Sequence, residues 1–464
     1  MACGQDEDGP IRIVAIGGTP ELRNPNLRPL DSPSALLAEL TAQGLVRFEA
    51  SGQIEPALAQ RWIVSNDGLR YTFRLANAQW SNGGKVTAAE VVARLRAAMG
   101  SSSRNRVKPI LGAIDEIEAM TDDVLEITLK APRPRFLDLL AQPEMAIMRN
   151  GRGSGPYRAL AEADGSVTLK PPKPDDPDLD PPGRTILLRG ERASLAVVRY
   201  RADEADLVTG GTAGDLPVAR AADLPATVFR FDPVGGLFGL SFVNAAGPLA
   251  KPEVREALSM AVDRARLVAV MNVPGLRPRQ SLLPLGIPEM ATPAQPSWAT
   301  LSLEQRRANA ARTIAALGAN PPELRVALPR GPGYRIIFAY LRAGWRTIGV
   351  DARAVGPAEP ADLRMIDEVA PATMASWYLR TFTCAAGPVC DAEADAAMEA
   401  ARIAPTIADR RDLLSAADQR LRDITVFIPI AAPVRWSLVS QRLTGFEPNI
   451  FAYHAADDLI ARHR

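Results

Sequence analysis

The sequence predicts an α/β protein built from more than one domain, and three observations carry that prediction. The chain has 464 residues, more than one hydrophobic core organises, so two or three domains follow. Residues 56–99 read as strand, turn, strand, turn, helix. Residues 302–355 read as helix, strand, helix, strand, the rhythm of an α/β lobe.

Taking the first stretch in order, Trp62, Ile63 and Val64 form a short apolar strand. Asn66-Asp67-Gly68 supplies residues that accept positive φ in a tight turn. Leu69, Tyr71, Phe73 and Leu75 alternate with Arg70, Thr72 and Arg74, the period of a half-buried strand. Residues 81–84, Ser-Asn-Gly-Gly, make a second turn. Thr87 and Glu90 are spaced as a capping box. Val91, Val92, Leu95 and Met99 then form one face of a helix.

Elsewhere, Ile11–Ile16 alternates as a first strand, broken by Gly17-Gly18-Thr19-Pro20. A short helix covers 34–40. Ile114–Ala119 and Val124–Leu129 read as strands, and Phe136–Leu140 as a helix start. The Pro/Asp run at 171–183 is a loop. Residues 237–244 are an apolar strand. Pro252 at a first helical position opens one long helix, with Val254, Ala257, Leu258, Ala261, Val262 and Val268 on one face. Ser302 with Gln305 caps the next helix, which ends at Gly318. Strands at 324–328 and 350–355 flank a helix whose face is Ile337, Leu341, Trp345 and Ile348. Two helices at 391–401 and 410–422 precede a strand at 424–431 that contains Pro429.

Composition narrows the function classes. Hydrophobic content of 47% and charged content of 23% are ordinary for a soluble globular protein. The net charge of +1 gives no basic excess to drive nucleic-acid binding. No apolar run approaches the ~20 residues needed to span a bilayer. The two histidines, His454 and His463, lie near the C-terminus, so a His-based triad or a His metal cluster elsewhere is excluded by count. No G-x-S-x-G elbow is present. Gly153-Ser154-Gly155-Pro156 fits a turn better than a phosphate loop. The pairs Asp122/Asp123, Asp175/Asp176 and Asp457/Asp458 fall in turns or tails, where solvated charge explains them. Asp367-Glu368 is the one pair in a region expected to reach a cleft. The reading is a non-enzyme without a cofactor or metal, although a carboxylate-only enzyme leaves little trace in sequence.

The wording of 56–99 also carries a resemblance. Leu58, Ala59, Trp62, Asp67, Gly68, Tyr71, Phe73, Leu75, Trp80, Gly83, Thr87, Ala88, Glu90 and Val91 match successive "LAxxW", "xDG", "YxFxLR", "W/FxDG" and "TAxDV" phrases. Residues 254–264 match "VRxAxxxAxDR", and residues 153–157 resemble "GTGPY". Together they resemble the extracytoplasmic solute-binding proteins of the peptide/nickel type, family 5, the receptors of ABC importers. The resemblance runs with interruptions from about residue 11 to 450 and is weakest at 170–235 and 360–385.

It implies a periplasmic-binding-protein-like α/β fold of the class II, large three-subdomain type, with two lobes joined by crossover strands. Residues 1–10 would be a tether. Lobe I would combine 11–40, 151–236 and 425–464, with 41–150 as its extra subdomain; lobe II would be 237–424. The implied function is capture of a short peptide or peptide-like ligand between the lobes, with hinge closure recognised by the importer's permease subunits. The same fold holding a sugar, opine or hydrophobic small molecule is the alternative, followed by an enzyme or chaperone on this scaffold. The implied protein is a periplasmic monomer that meets no nucleic acid and meets the membrane only through a lipid anchor. Ala2-Cys3-Gly4 resembles the end of a bacterial lipobox, which would make Cys3 that anchor; a stray cysteine in a tail is the other reading. For Cys384 and Cys390, a local disulfide fits an oxidising compartment and the Gly387-Pro388 turn between them. A metal site would want further Cys or His nearby, and a redox pair usually has the CxxC spacing.

One departure bears on the ligand. Peptide-binding members hold the ligand's α-amine with an Asp in a "WxxDYxDP"-like stretch. The equivalent region, residues 361–382, has no such phrase: Glu368 and Pro371 stand at the aromatic and Asp positions. Asp367 or Glu368 is the candidate replacement. Trp377, Tyr378 and Phe382 would line a pocket through flat contacts, or else be core. By regional analogy, Thr19, Asn24, Phe238, Leu240, Arg364 and Arg380 complete the candidate ligand-binding set. Two histidines argue against nickel held by protein imidazoles.

Overall fold

The computed structural model describes residues 9–171, 184–288, 290, 292–318 and 323–460. It divides into two compact units. Unit 1 holds the chain up to Gly211, then Val218–Pro233, then everything from Arg435. Unit 2 holds Thr212–Pro217 and Val234–Val434.

Unit 1 is built on a seven-stranded sheet. Its order is Arg158–Ala161, Val167–Lys170, Ile186–Glu191, Ile11–Ile16, Leu207–Thr212, Arg435–Val439 and Phe229–Phe231. The first strand, IRIVAI, sits mid-sheet and pairs in parallel with neighbours on both sides. Ile13, Leu169, Ile186 and Leu188 are fully buried there. The helix Ser32–Thr41 covers them with Leu36, Leu37 and Leu40. Asp31 caps that helix by accepting from the Ser34 amide at 3.3 Å.

A separate four-stranded antiparallel sheet in the same unit runs Ala59–Val64, Arg70–Leu75, Val124–Leu129, Ile114–Ala119. The predicted alternation holds: Tyr71, Phe73 and Leu75 are buried, while Arg70 and Arg74 are exposed. Gly68 turns the hairpin at φ +69°, a value at which Cβ-bearing residues are strained. Ile63 is 70% exposed, so this edge strand is apolar without being core. Both arms of the Thr87–Glu90 capping box form, and Val91, Val92, Leu95 and Ala98 are the buried face of Ala88–Met99. Ala98 takes the core position expected of Met99.

Unit 2 has a five-stranded sheet in the order Asp351–Val355, Glu323–Ala327, Leu363–Val369, Gly236–Phe242, Phe427–Ala431. Leu237, Phe238 and Leu240 are fully buried, as expected for a strand covered on both faces. Pro429 is tolerated because its strand is an edge. It pairs with Gly239, where a Cβ would lie 2.2 Å from the Ile428 carbonyl oxygen. Phe427–Ala431 therefore belongs to the unit that begins at Val234, and the lobe boundary expected before 425 lies after Val434.

The single helix expected after Pro252 is two, Pro252–Met260 and Arg264–Met271. Asp263 leaves helical geometry and caps the second by accepting from the Arg266 amide at 2.9 Å. Arg264, beside the break, is buried and donates to the carbonyls of Ser259 (2.9 Å) and Pro429 (2.7 Å). An uninterrupted apolar face gave no sign of that break.

Candidate functional site

Two candidate regions emerge, one in each unit. In unit 1, Thr19 is exposed just past the first strand. Asn24 orders the next loop, its Oδ1 accepting from the Asn26 amide at 2.9 Å. Asn26 is held in turn by Asn105, whose Nδ2 donates to Asn26 Oδ1 and to the Glu144 carbonyl, both at 2.8 Å. This loop, one side of the helix Ala88–Met99 and residues from 144 to 151 line a part-open cavity of about 270 Å³. Leu95, Met145 and Ile147 give it an apolar wall, and Asn24, Asn26, Glu144 and Asn150 a polar one. Asn150 and Gly151 form the two-residue turn between the short strands Met148–Arg149 and Arg152–Gly153, both at positive φ, as an Asn-Gly hairpin requires. Arg149 holds that hairpin by pairing with Glu90 and stacking over Trp80 at 5.0 Å.

In unit 2 the candidates sit near one end of Leu363–Val369. Asp367 and Glu368 are adjacent on this strand, opposite Phe238 and Leu237, and so point to opposite faces of the sheet. Asp367 accepts a 2.6 Å hydrogen bond from the Tyr334 hydroxyl, while Glu368 is exposed. Tyr334 reaches this position because its ring lies on Gly214, where a Cβ would come within 2.3 Å of it. Trp377 is half-buried and stands edge-on to Tyr378, ring centroids 4.9 Å apart. Burial pushes the Tyr378 phenol up to about 12, against the opposing pull of Arg279. Arg279 donates to the Gly236 carbonyl at 2.6 Å, and burial lowers its pKa.

The remaining candidates hold the unit together. Phe238 and Leu240 are fully buried in the central strand, and Phe382 packs on Phe427 at 5.4 Å. These three are core, because the strand they pack on is covered on both sides. Arg364 donates to the Pro357 carbonyl at 2.6 Å. Arg380 pairs with Glu399 at 2.9 Å and donates to the Met398 carbonyl at 3.0 Å, tying Ala375–Arg380 to Ala392–Arg402. Cys384 and Cys390 are joined by a disulfide, S–S 2.06 Å. Cys3 lies outside the described residues. Among the described residues no group of three or more His, Cys, Asp or Glu could hold a metal ion, and no helix is long and apolar enough to cross a membrane.

Sequence reasoning missed Glu144, Arg279 and Tyr334. Glu144 sits in a three-residue turn of helix and Arg279 in a loop, where no periodicity marks a residue. Tyr334 reads as one more apolar position of its helix.

The fold is that of the large periplasmic binding proteins. The crystal structure of Haemophilus influenzae OppA in complex with RPPGFSPFR superposes with a TM-score of 0.81, at 18% identity, covering 98% of each chain. The chain itself belongs to the bacterial extracellular solute-binding proteins, family 5, whose "Middle" model matches residues 53–383. It is 26% identical over 278 residues to the oligopeptide-binding protein OppA of Bacillus subtilis strain 168, covering 51% of this chain and 50% of that one. It is 30% identical over 278 residues to the probable deoxycholate-binding periplasmic protein YgiS of Escherichia coli K12, covering 52% of this chain and 51% of that one. The chain thus spans about half the length of these relatives.

Proposed function

We propose that the chain is the substrate-binding receptor of an ABC importer. It captures a short peptide or peptide-like ligand and delivers it to the permease subunits. The family match over 53–383 carries this reading, and the Bacillus relative's name, an oligopeptide-binding protein, supports the ligand class. On this reading the protein works outside the cytoplasm as a monomer, tethered through Cys3, and does no chemistry on its ligand. Thr19, Asn24, Asp367, Glu368, Trp377 and Tyr378 are the contacts we assign to it.

A specific observation favours a second reading, a non-peptide ligand in the same fold. Residues 361–382 lack the amine-anchoring phrase, and Asp367 already accepts a hydrogen bond from Tyr334. The relative named as probably deoxycholate-binding is an instance of that class.

Mass spectrometry of the gently purified protein, native and then denatured, tests both. A ladder of peptide masses supports the first reading. One non-peptide mass moves the assignment to the second. If no solute co-purifies and none from a peptide and metabolite panel shifts the melting temperature, the receptor reading is lost. Trp377→Ala is expected to weaken binding of the identified solute while leaving the melting curve intact; an unchanged affinity removes Trp377 from the site.

A further inference from the structure

We infer that the unit 1 cavity is a subsite for an alkylammonium group, with the Glu144 carboxylate as its counter-charge. This goes beyond the receptor reading, because the cavity belongs to one unit and its chemistry is set there. Glu144 is only 7% exposed, and its Oε2 is buried without a hydrogen-bond partner. No cation pairs with the carboxylate among the described residues. A buried carboxylate oxygen left without a donor is costly, and a cation reaching it would relieve that cost. Elsewhere in this unit the buried carboxylate of Asp206 is relieved by two arginines.

The cavity beside Glu144 is shaped for one kind of cation. At about 270 Å³ it holds a lysine-sized group. The apolar wall with Leu95 and Met145 suits a methylene chain, and Asn24 and Asn26 add polar lining. A hydrated metal ion would gain nothing from the apolar wall. Arg94 also lines the cavity but is exposed to solvent, where water and salt screen it. The Glu144 carbonyl accepts from Asn105, which fixes the main chain that carries the carboxylate.

The probe is Nα-acetyl-lysine N-methylamide, whose only charge is its side-chain ammonium, set against its norleucine counterpart. In calorimetry the lysine compound is expected to bind about tenfold or more tightly than the norleucine one, as a charge-assisted hydrogen bond predicts. Glu144→Gln is expected to abolish that difference. Equal affinities, no binding of either compound, or a difference that survives Glu144→Gln would overturn the assignment. Should the variant fail to fold, a crystal structure of the natural protein with the lysine compound decides. Ammonium density against Glu144 supports the subsite; density elsewhere, or none, refutes it. The solute that co-purifies is read separately, so the receptor reading and the subsite fail independently.

Discussion

The two candidate regions handle buried and half-buried charge in opposite ways. In unit 2 the charged candidates are bound to their own protein: Asp367 by Tyr334, Arg380 by Glu399, Arg364 by the Pro357 carbonyl. In unit 1 the cavity carboxylate of Glu144 has no such partner. A satisfied charge holds a structure in one conformation, whereas an unsatisfied one in a cavity leaves interaction energy for a visitor. The difference teaches that charge at a sequence position says little about binding until its partners are known.

The comparison breaks most visibly at a fully paired carboxylate. Asp206 has its side chain 1% exposed and accepts from Arg12 at 2.8 Å and Arg442 at 3.2 Å. Asp206→Ala removes the buried carboxylate that both arginines share and is expected to lower stability by about 3–5 kcal/mol in urea melts. A loss below about 1 kcal/mol would mean that pairing is not what distinguishes the two kinds of carboxylate.

An intermediate case sharpens the contrast. Asp418 is buried with one oxygen accepting from the Ala294 amide at 2.7 Å and the other unpartnered. Burial raises its pKa from 3.8 to about 6. The folded state therefore holds a proton that the unfolded state releases between those values. Its stabilising effect is complete below 3.8 and is lost as pH rises through 6. Asp418→Asn is expected to remove that loss, on the order of 2 kcal/mol between pH 4 and 7, seen as a flatter pH profile of melting temperature. An unchanged profile would assign the slope to another group.

Smaller effects follow at the candidate residues. Tyr334→Phe removes the hydrogen bond to Asp367 and is expected to cost about 1–2 kcal/mol, read by thermal melting with and without the co-purified solute. Glu144→Gln is expected to leave stability within about 0.5 kcal/mol or raise it, since no partner is lost. A cost near that of Asp206→Ala would show that Glu144 is paired in solution and would end the contrast between the units.

How much was legible in the sequence follows the range of the interactions involved. The hairpin at 59–75 and the capped helix after it rest on neighbours within a few residues: the Asn-Asp-Gly turn, the Tyr71/Phe73/Leu75 alternation, the Thr87–Glu90 box. Those were readable. The candidate residues divide by their surroundings, which the sequence did not show. Trp377 stacks edge-on against Tyr378 and Asp367 accepts from Tyr334, whereas Phe238, Leu240 and Phe382 are buried in the core. An aromatic at a wall and an aromatic in a core have the same local sequence.

The sequence by itself determined the class of fold, most strand and helix positions, and the family, because periodicity, capping and turn chemistry are local. Only the tertiary structure decided that the helix after Pro252 breaks at Asp263 and that Phe427–Ala431 pairs with Gly236–Phe242. It alone placed Glu144 in a cavity without a partner. Distant contacts set each of these in part: the Arg264–Pro429 bond at the break, the Phe427–Ala431 pairing and the packing around Glu144 all join residues tens to hundreds of positions apart, where whether a charge is met is set by packing rather than by its neighbours in the chain.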